Sequence, residues 1–191
     1  MRHLTLLAIC AAALALAGCG GHPIRTKEYV YPAWGFKASF NVPPETKDTP
    51  AAADGTPHSF LAEAHTPNHD FVVTAFDAAP GHDLDSFGDS ASASLAKAMG
   101  GVVQGQTYVA TFEDLMGREY RIDKAGKPFA TLRVFNVGDR FYEVLAVSIY
   151  GPSDPAVSDF LYSFHALDAK GDVTNGLSPT APASNGPAPP S

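Results

Sequence analysis

The residues best suited to chemistry are histidines. His65 and His69 bracket Thr66-Pro67-Asn68 between two apolar runs, so a hairpin at this point would turn the two imidazoles towards each other, with His58, His82, Asp83 and Asp85 close in sequence. Neutral imidazoles with one or two carboxylates suit zinc, copper or nickel, which makes His65 and His69 candidate metal ligands. Exposed histidines in polar turns give the same spacing with no metal, and the sequence supports both readings. His165 reads as a partly buried residue or as a cation favoured at a helix C-terminus. The run Gly100-Gly101-Val102-Val103-Gln104-Gly105 leaves a helix pattern and enters a strand pattern. Phosphate-binding loops run the other way, from strand to helix, so that helix amides meet the phosphate. The sequence has no G-x-S-x-G elbow, and a Ser-His-Asp arrangement assembled from distant positions leaves no trace in spacing. The expectation is a protein that is not an enzyme and needs no cofactor.

Cys19 carries a different chemistry. Met1-Arg2-His3 is a short basic opening to an apolar and small-residue run from Leu4 to Ala17, the layout of an export signal. At about fourteen residues the run falls short of the roughly 20 that span a bilayer. Leu16-Ala17-Gly18-Cys19 resembles the lipobox of bacterial lipoprotein precursors at each position. The resemblance implies that residues 1–18 are a leader, that diacylglycerol is transferred to the Cys19 sulfur, and that the chain is cut between Gly18 and Cys19. Two or three acyl chains, at roughly 0.8 kcal/mol per buried CH₂, hold a protein on a membrane. Gly20 stands where an Asp retains many Gram-negative lipoproteins at the inner membrane, so the expected location is the periplasmic side of the outer membrane.

Composition narrows the partners. Cys10 leaves with the leader and Cys19 carries lipid, so the mature chain has no disulfide although its compartment permits one. Of the 13 Lys and Arg side chains only Arg2 lies in the leader, and all 20 acidic ones lie beyond it, so processing moves the net charge from −7 to −8. That balance repels nucleic acid and anionic lipid and disfavours both as partners.

Several elements must position these residues. Gly20 to Lys27 reads as a polar tether leading to an aromatic cluster, Tyr29, Tyr31, Trp34 and Phe36, which packs at the edge of a core or, as the less favoured reading, touches the membrane interface. Phe36 to Val42 alternates as a strand does, and Pro43 to Pro57, with four prolines, reads as a loop. Ser59 to Ala64 and Phe71 to Phe76 form the two arms of the histidine hairpin. Leu84, Phe87, Ala91, Leu95 and Met99 recur at helical spacing, with acidic residues at the start and Gly100-Gly101 at the end. Strands follow over 104–112, 117–123, 129–137 and 141–150, joined by turn sequences such as Ala125-Gly126 and Gly138-Asp139. A last helix starts at Ser153-Asp154-Pro155 and runs to Leu167, with Val157, Phe160, Leu161 and Phe164 as its buried stripe. Lys170 to Ser191, with five prolines, reads as a disordered tail. Both faces of the last strand, Phe141 to Tyr150, are largely apolar, which places it at the centre of a sheet covered on both sides. The charged residues Arg118, Glu119, Arg121, Arg133 and Glu143 are expected to form cross-strand pairs on an exposed sheet surface or to mark a protein-binding face.

This order of elements resembles the PsbP-like fold, shared by an extrinsic photosystem II subunit, a Ran-binding nuclear factor and many bacterial envelope lipoproteins. The resemblance rests on three stretches: Phe36 to Pro43, Gly117-Arg118-Glu119-Tyr120, and Asp159-Phe160-Leu161-Tyr162-Ser163-Phe164. It implies an α+β fold in which an antiparallel sheet lies between helices. It also implies a family whose members mostly bind other proteins or support assembly of complexes, with no shared catalytic site. The expected organisation is a leader over 1–18, a lipidated N-terminus and tether over 19–35, a PsbP-like domain over 36–168 and a Pro/Ala/Ser-rich tail over 169–191. The expected function is a membrane-anchored, non-enzymatic interaction or assembly module with an envelope protein as partner. The alternative is a small-ligand or metal-binding lipoprotein.

Overall fold

A computed structural model describes residues 26–78, 83–111 and 114–174. Residues 1–25, Cys19 among them, His82 and everything after Thr174 lie outside the described residues. The elements in chain order are β1 (Lys27–Tyr31), β2 (Phe36–Phe40), β3 (Glu45–Thr49), β4 (Ser59–His65), β5 (His69–Asp77), α1 (Leu84–Met99), β6 (Val102–Ala110), β7 (Met116–Lys124), β8 (Lys127–Val137), β9 (Arg140–Ser148), α2 (Pro155–Ser163) and β10 (His165–Ala166). Among the described residues no helix is long and apolar enough to cross a membrane.

The architecture is α+β. A seven-stranded sheet in the order β3-β4-β5-β9-β8-β7-β6 forms the middle layer, and β1-β2-β10 form a second, small sheet. All strand pairs are antiparallel. β9 is the central strand, as its two apolar faces require. Tyr142, Val144 and Ala146 point to one side, into a core closed by α2 and the small sheet. Leu145 and Val147 point to the other, beneath α1, and there Phe141 stacks on Phe87 of α1 at 4.3 Å between ring centroids.

The helices begin where their caps direct. The Asp83 carboxylate accepts from the Ser86 amide at 2.8 Å, and Gly100 ends α1 in the left-handed region at φ 67. The hairpin between β7 and β8 turns on Ala125 and Gly126, both at positive φ, which matches the strand twist.

Four expectations need correction. The stretch read as a tether contains β1, which pairs with β2 from Lys27 opposite Phe40 to Tyr31 opposite Phe36. The proline-bounded loop contains β3, a charged strand that reads as polar loop because almost none of it is buried. The last helix stops at Ser163, not Leu167. Phe164 is extended (φ −73, ψ 127), and His165 pairs with Lys37 as part of β10. His165 therefore belongs to a strand and does not cap a helix. The stretch read as the start of a tail pairs back onto the domain, with Leu167 bridged to Val173 and the Thr174 amide donating to the Ala166 carbonyl at 2.9 Å.

Candidate interaction surface

The two candidate metal ligands do not face each other. The Thr66 amide donates to the His69 carbonyl at 2.8 Å, closing the hairpin around Pro67 and Asn68 and drawing His69 into β5. His65 is then in register with Asp70, and its Nδ1 contacts the Asp70 carboxylate in the open, with the imidazole 80% exposed. His69 shares the opposite face with Phe71, stacks on it at 5.4 Å, and is buried. Strand alternation therefore separates the pair. His58 lies at the far end of β4, between Asp48 at 2.7 Å and Asp77 at 3.4 Å. Among the described residues no group of three His, Cys, Asp or Glu side chains is placed to hold a metal ion.

His69 belongs to a different assembly. One Asp154 carboxylate oxygen receives His69 Nε2 at 2.7 Å and Ser148 Oγ at 2.8 Å, and the other receives the Ala156 amide at 3.0 Å. Burial would raise the Asp154 carboxyl pKa, but the hydrogen bonds from His69, Ala156 and Ser148 and the charge on His69 hold it below the ordinary carboxylate value. Serine, histidine and aspartate do meet here, with the aspartate in the middle. Ser148 and His69 both bond to the carboxylate and not to each other, so the imidazole is not placed to take the hydroxyl proton. The arrangement fastens the start of α2 to the histidine hairpin.

Of the charged residues of the meander, Glu119 and Arg133 pair across strands, though in the interior, while exposed Arg121 reaches Glu119 of its own strand at 3.6 Å. Glu119 and Arg133 are opposite each other in β7 and β8, are linked at 3.0 Å, and are both nearly buried. Arg133 also donates to the Leu161 carbonyl of α2 at 3.4 Å. On the α1 side, Arg118 contacts Asp85 at 2.8 Å and lies 4.1 Å from the centroid of the Tyr108 ring. The Tyr120 hydroxyl donates to Asp89 at 3.0 Å; burial first, then this bond and the Asp89 charge, push Tyr120 up to about 12. Among the described residues Glu143 makes no ion pair. It sits between Thr74 and Val134 in register, and burial lifts its carboxyl pKa to about 7.

The two edges of the main sheet differ in a way that bears on partners. β3 is five residues long and reads Glu45-Thr46-Lys47-Asp48-Thr49, a short and charged edge of the kind that resists strand addition. β6 is nine residues long, reads Val102-Val103-Gln104-Gly105-Gln106-Thr107-Tyr108-Val109-Ala110, and is exposed at all but Val109. It contains no charged residue and no proline. Its one protective feature is an irregularity in register between Val103 and Gly105. Val102, Val103 and Tyr108 are exposed apolar side chains along it. Clefts of about 370 Å³ and 280 Å³ flank it, the first bounded by Asp89, Ser92 and Tyr120 and the second by Thr107, Glu119 and Arg121. A row of unpaired backbone donors and acceptors with neutral, partly apolar side chains is the surface to which an extended segment of another chain adds as a strand. The sequence contained the signal, an uncharged strand beside Gly-rich turns; what it could not show is that this strand lies at the edge.

The fold and this surface define an α+β sheet domain without an evident catalytic centre among its described residues. No family model and no curated protein matches the chain. The solution structure of cyanobacterial PsbP (CyanoP) from Synechocystis sp. PCC 6803 is similar to it, with a TM-score of 0.51 at 12% sequence identity over 79% of this chain and 98% of that one. The chain therefore has a PsbP-like fold.

Proposed function

We propose that this chain is a lipid-anchored, non-enzymatic interaction module of the bacterial cell envelope, held by acylated Cys19 on the periplasmic side of the outer membrane, and that it docks a protein partner as a strand added along β6. The observation that carries this reading is the contrast between the sheet's edges: β3 is short and charged, whereas β6 is long, uncharged and exposed. The lipobox supports the anchor, and the PsbP-like fold is compatible with an interaction role. The deep polar groups support scaffold over catalysis, since Asp154, Glu119 and Arg133 are each occupied with a neighbouring element.

The test is a photo-crosslinking residue placed in cells at Gln106 of β6 or at Lys47 of β3, in otherwise native protein. The expected result is one envelope protein crosslinked at 106 and not at 47, and lost when Val103→Lys and Gln104→Lys are introduced into β6. Equal crosslinking at the two edges, or a partner that survives the lysine substitutions, would reject β6 as the docking edge. Cys19→Ser is expected to release the protein from the membrane fraction.

A further inference from the structure

One end of the domain gathers exposed apolar side chains and lysines. It is formed by the β7–β8 turn, the segment leading from β9 to α2, and the start of β6. Ile149 and Tyr150 are 61% and 64% exposed there, and with Phe129, Pro128 and Pro152 they line an open shelf of about 590 Å³. Lys124 and Lys127 pair across the turn and border the same shelf, with Lys124 Nζ 5.2 Å from the Phe129 ring centroid. Val102 is exposed nearby, opposite Asp123 in register.

The chain enters the domain from this same end. Lys27 is opposite Phe40; the Phe40 ring lies 5.4 Å from Phe160 and Phe160 lies 4.6 Å from Phe71. Phe71 follows His69, which is opposite Ser148, the residue before Ile149. β1 then runs away towards Tyr31 and the far end. Eight Cα steps separate Cys19 from Lys27, and at about 3.3–3.6 Å per residue they reach less than ~30 Å even when fully extended. A lipid on Cys19 thus holds this end of the domain within ~30 Å of the bilayer.

We infer that the Ile149–Tyr150 shelf rests on the lipid surface, its apolar side chains at the headgroup boundary and Lys124 and Lys127 against anionic headgroups. This rests on the lipid anchor proposed above. A tyrosine and an isoleucine beside two lysines have the chemistry of an interfacial contact, in which the ring sits at headgroup level and ammonium groups meet anionic lipid. The chain's overall negative charge opposes an anionic surface, but Lys124 and Lys127 make this corner locally basic. The carboxylates Glu45 and Glu63 sit opposite each other at the other margin of the sheet, so the domain leans on its β7–β8 corner.

The test uses the full chain, purified from membranes and reconstituted into phosphatidylethanolamine–phosphatidylglycerol vesicles carrying brominated acyl chains, with intact mass measured on the same sample. Tyr150→Trp and Tyr162→Trp are compared, the buried Trp34 being common to both. The expected result is an acylated Cys19, several-fold greater bromine quenching for Tyr150→Trp than for Tyr162→Trp, and loss of that difference with Lys124→Glu and Lys127→Glu. Equal quenching at the two positions in acylated protein would overturn the shelf's contact with lipid while leaving the anchor standing. A protein crosslinked through position 150 in cells, with no quenching in vesicles, would assign the shelf to a protein partner and overturn it equally. An unmodified Cys19 would remove the anchor, and the membrane contact with it.

Discussion

Replacing Glu143 by glutamine isolates the effect of a carboxyl group buried on the α1 face of the sheet. Its register partners are Thr74 and Val134, and burial alone lifts its pKa from 4.5 to about 7. The folded protein therefore holds this proton more firmly than the unfolded chain does. The sign follows from linkage: stability is full below the unfolded value, falls as pH rises from 4.5 towards 7, and levels off above. At about 1.36 kcal/mol per pH unit, that interval corresponds to roughly 3 kcal/mol. Glutamine cannot ionise, so Glu143→Gln removes the pH-dependent loss. The amide still lacks a partner at about 1–3 kcal/mol, a cost that does not vary with pH. The assay is urea unfolding, followed by circular dichroism and Trp34 fluorescence, at several pH values from 4.5 to 8, with an unchanged m-value confirming a common unfolding transition. The difference between variant and wild type is expected to shift in favour of the variant by about 3 kcal/mol over that range. Subtracting one from the other cancels every contribution that the two proteins share. A difference that stays flat from pH 4.5 to 8 would show that the native carboxylate is hydrated, and the reasoning would fall.

Four further perturbations probe the contacts that hold the layers together and one exposed residue outside them. Asp154→Asn weakens the bond to His69 and the cap of α2 and is expected to cost about 1–2 kcal/mol at pH 7. Because the Asp154 pKa is lowered in the fold, its contribution is present above the ordinary carboxylate value and lost as pH falls through the folded one, which acid unfolding of wild type and variant will register. His65→Ala, removing an exposed imidazole, is expected to change stability by less than about 0.5 kcal/mol in the same measurement. Glu119→Ala leaves Arg133 buried without its carboxylate and is expected to cost about 3–5 kcal/mol in urea unfolding, whereas exchanging both residues for apolar ones of similar volume restores most of the loss. Gly117→Ala would set a methyl group against the Phe135 ring and 2.7 Å from the Val134 carbonyl oxygen, costing about 1–3 kcal/mol in thermal unfolding.

The legible parts of the fold were those in which local chemistry and burial agree. α1 spans Leu84 to Met99 as its period requires, because Asp83 caps it and Gly100 can adopt the left-handed conformation that ends it. The centrality of β9 followed from the absence of a polar face. The errors have a common cause: where an element is defined by partners remote in sequence, its own residues carry little signal. β3 is polar and exposed and is a strand only because β4 offers it an edge. β10 is two residues long and breaks the helix pattern at Phe164 because Lys37 and Phe36 lie alongside. Alternation likewise decided the histidines. A hairpin that reverses at Pro67-Asn68 puts His69 within a strand, on the face that His65 does not share.

The exposed edge and the basic, apolar end constrain one another. Strands normally protect such an edge because a second copy of the chain can pair with it, and β6 has only one irregularity to prevent this. With the domain resting on the Ile149–Tyr150 end, β6 stands upright, starting at Val102 beside the lipid and running outward to Ala110. Two copies anchored in one leaflet are related by rotation about the membrane normal, which leaves both β6 strands pointing outward. Side by side they can meet only in parallel. The antiparallel register, whose bonds are slightly more stable per residue, requires one copy to be inverted, which the common anchor forbids. A partner whose extended segment descends towards the membrane meets no such restriction. Under the proposed anchor the lipid would orient the edge as well as locate it, disfavouring antiparallel self-pairing along β6 while leaving that edge open to a different chain.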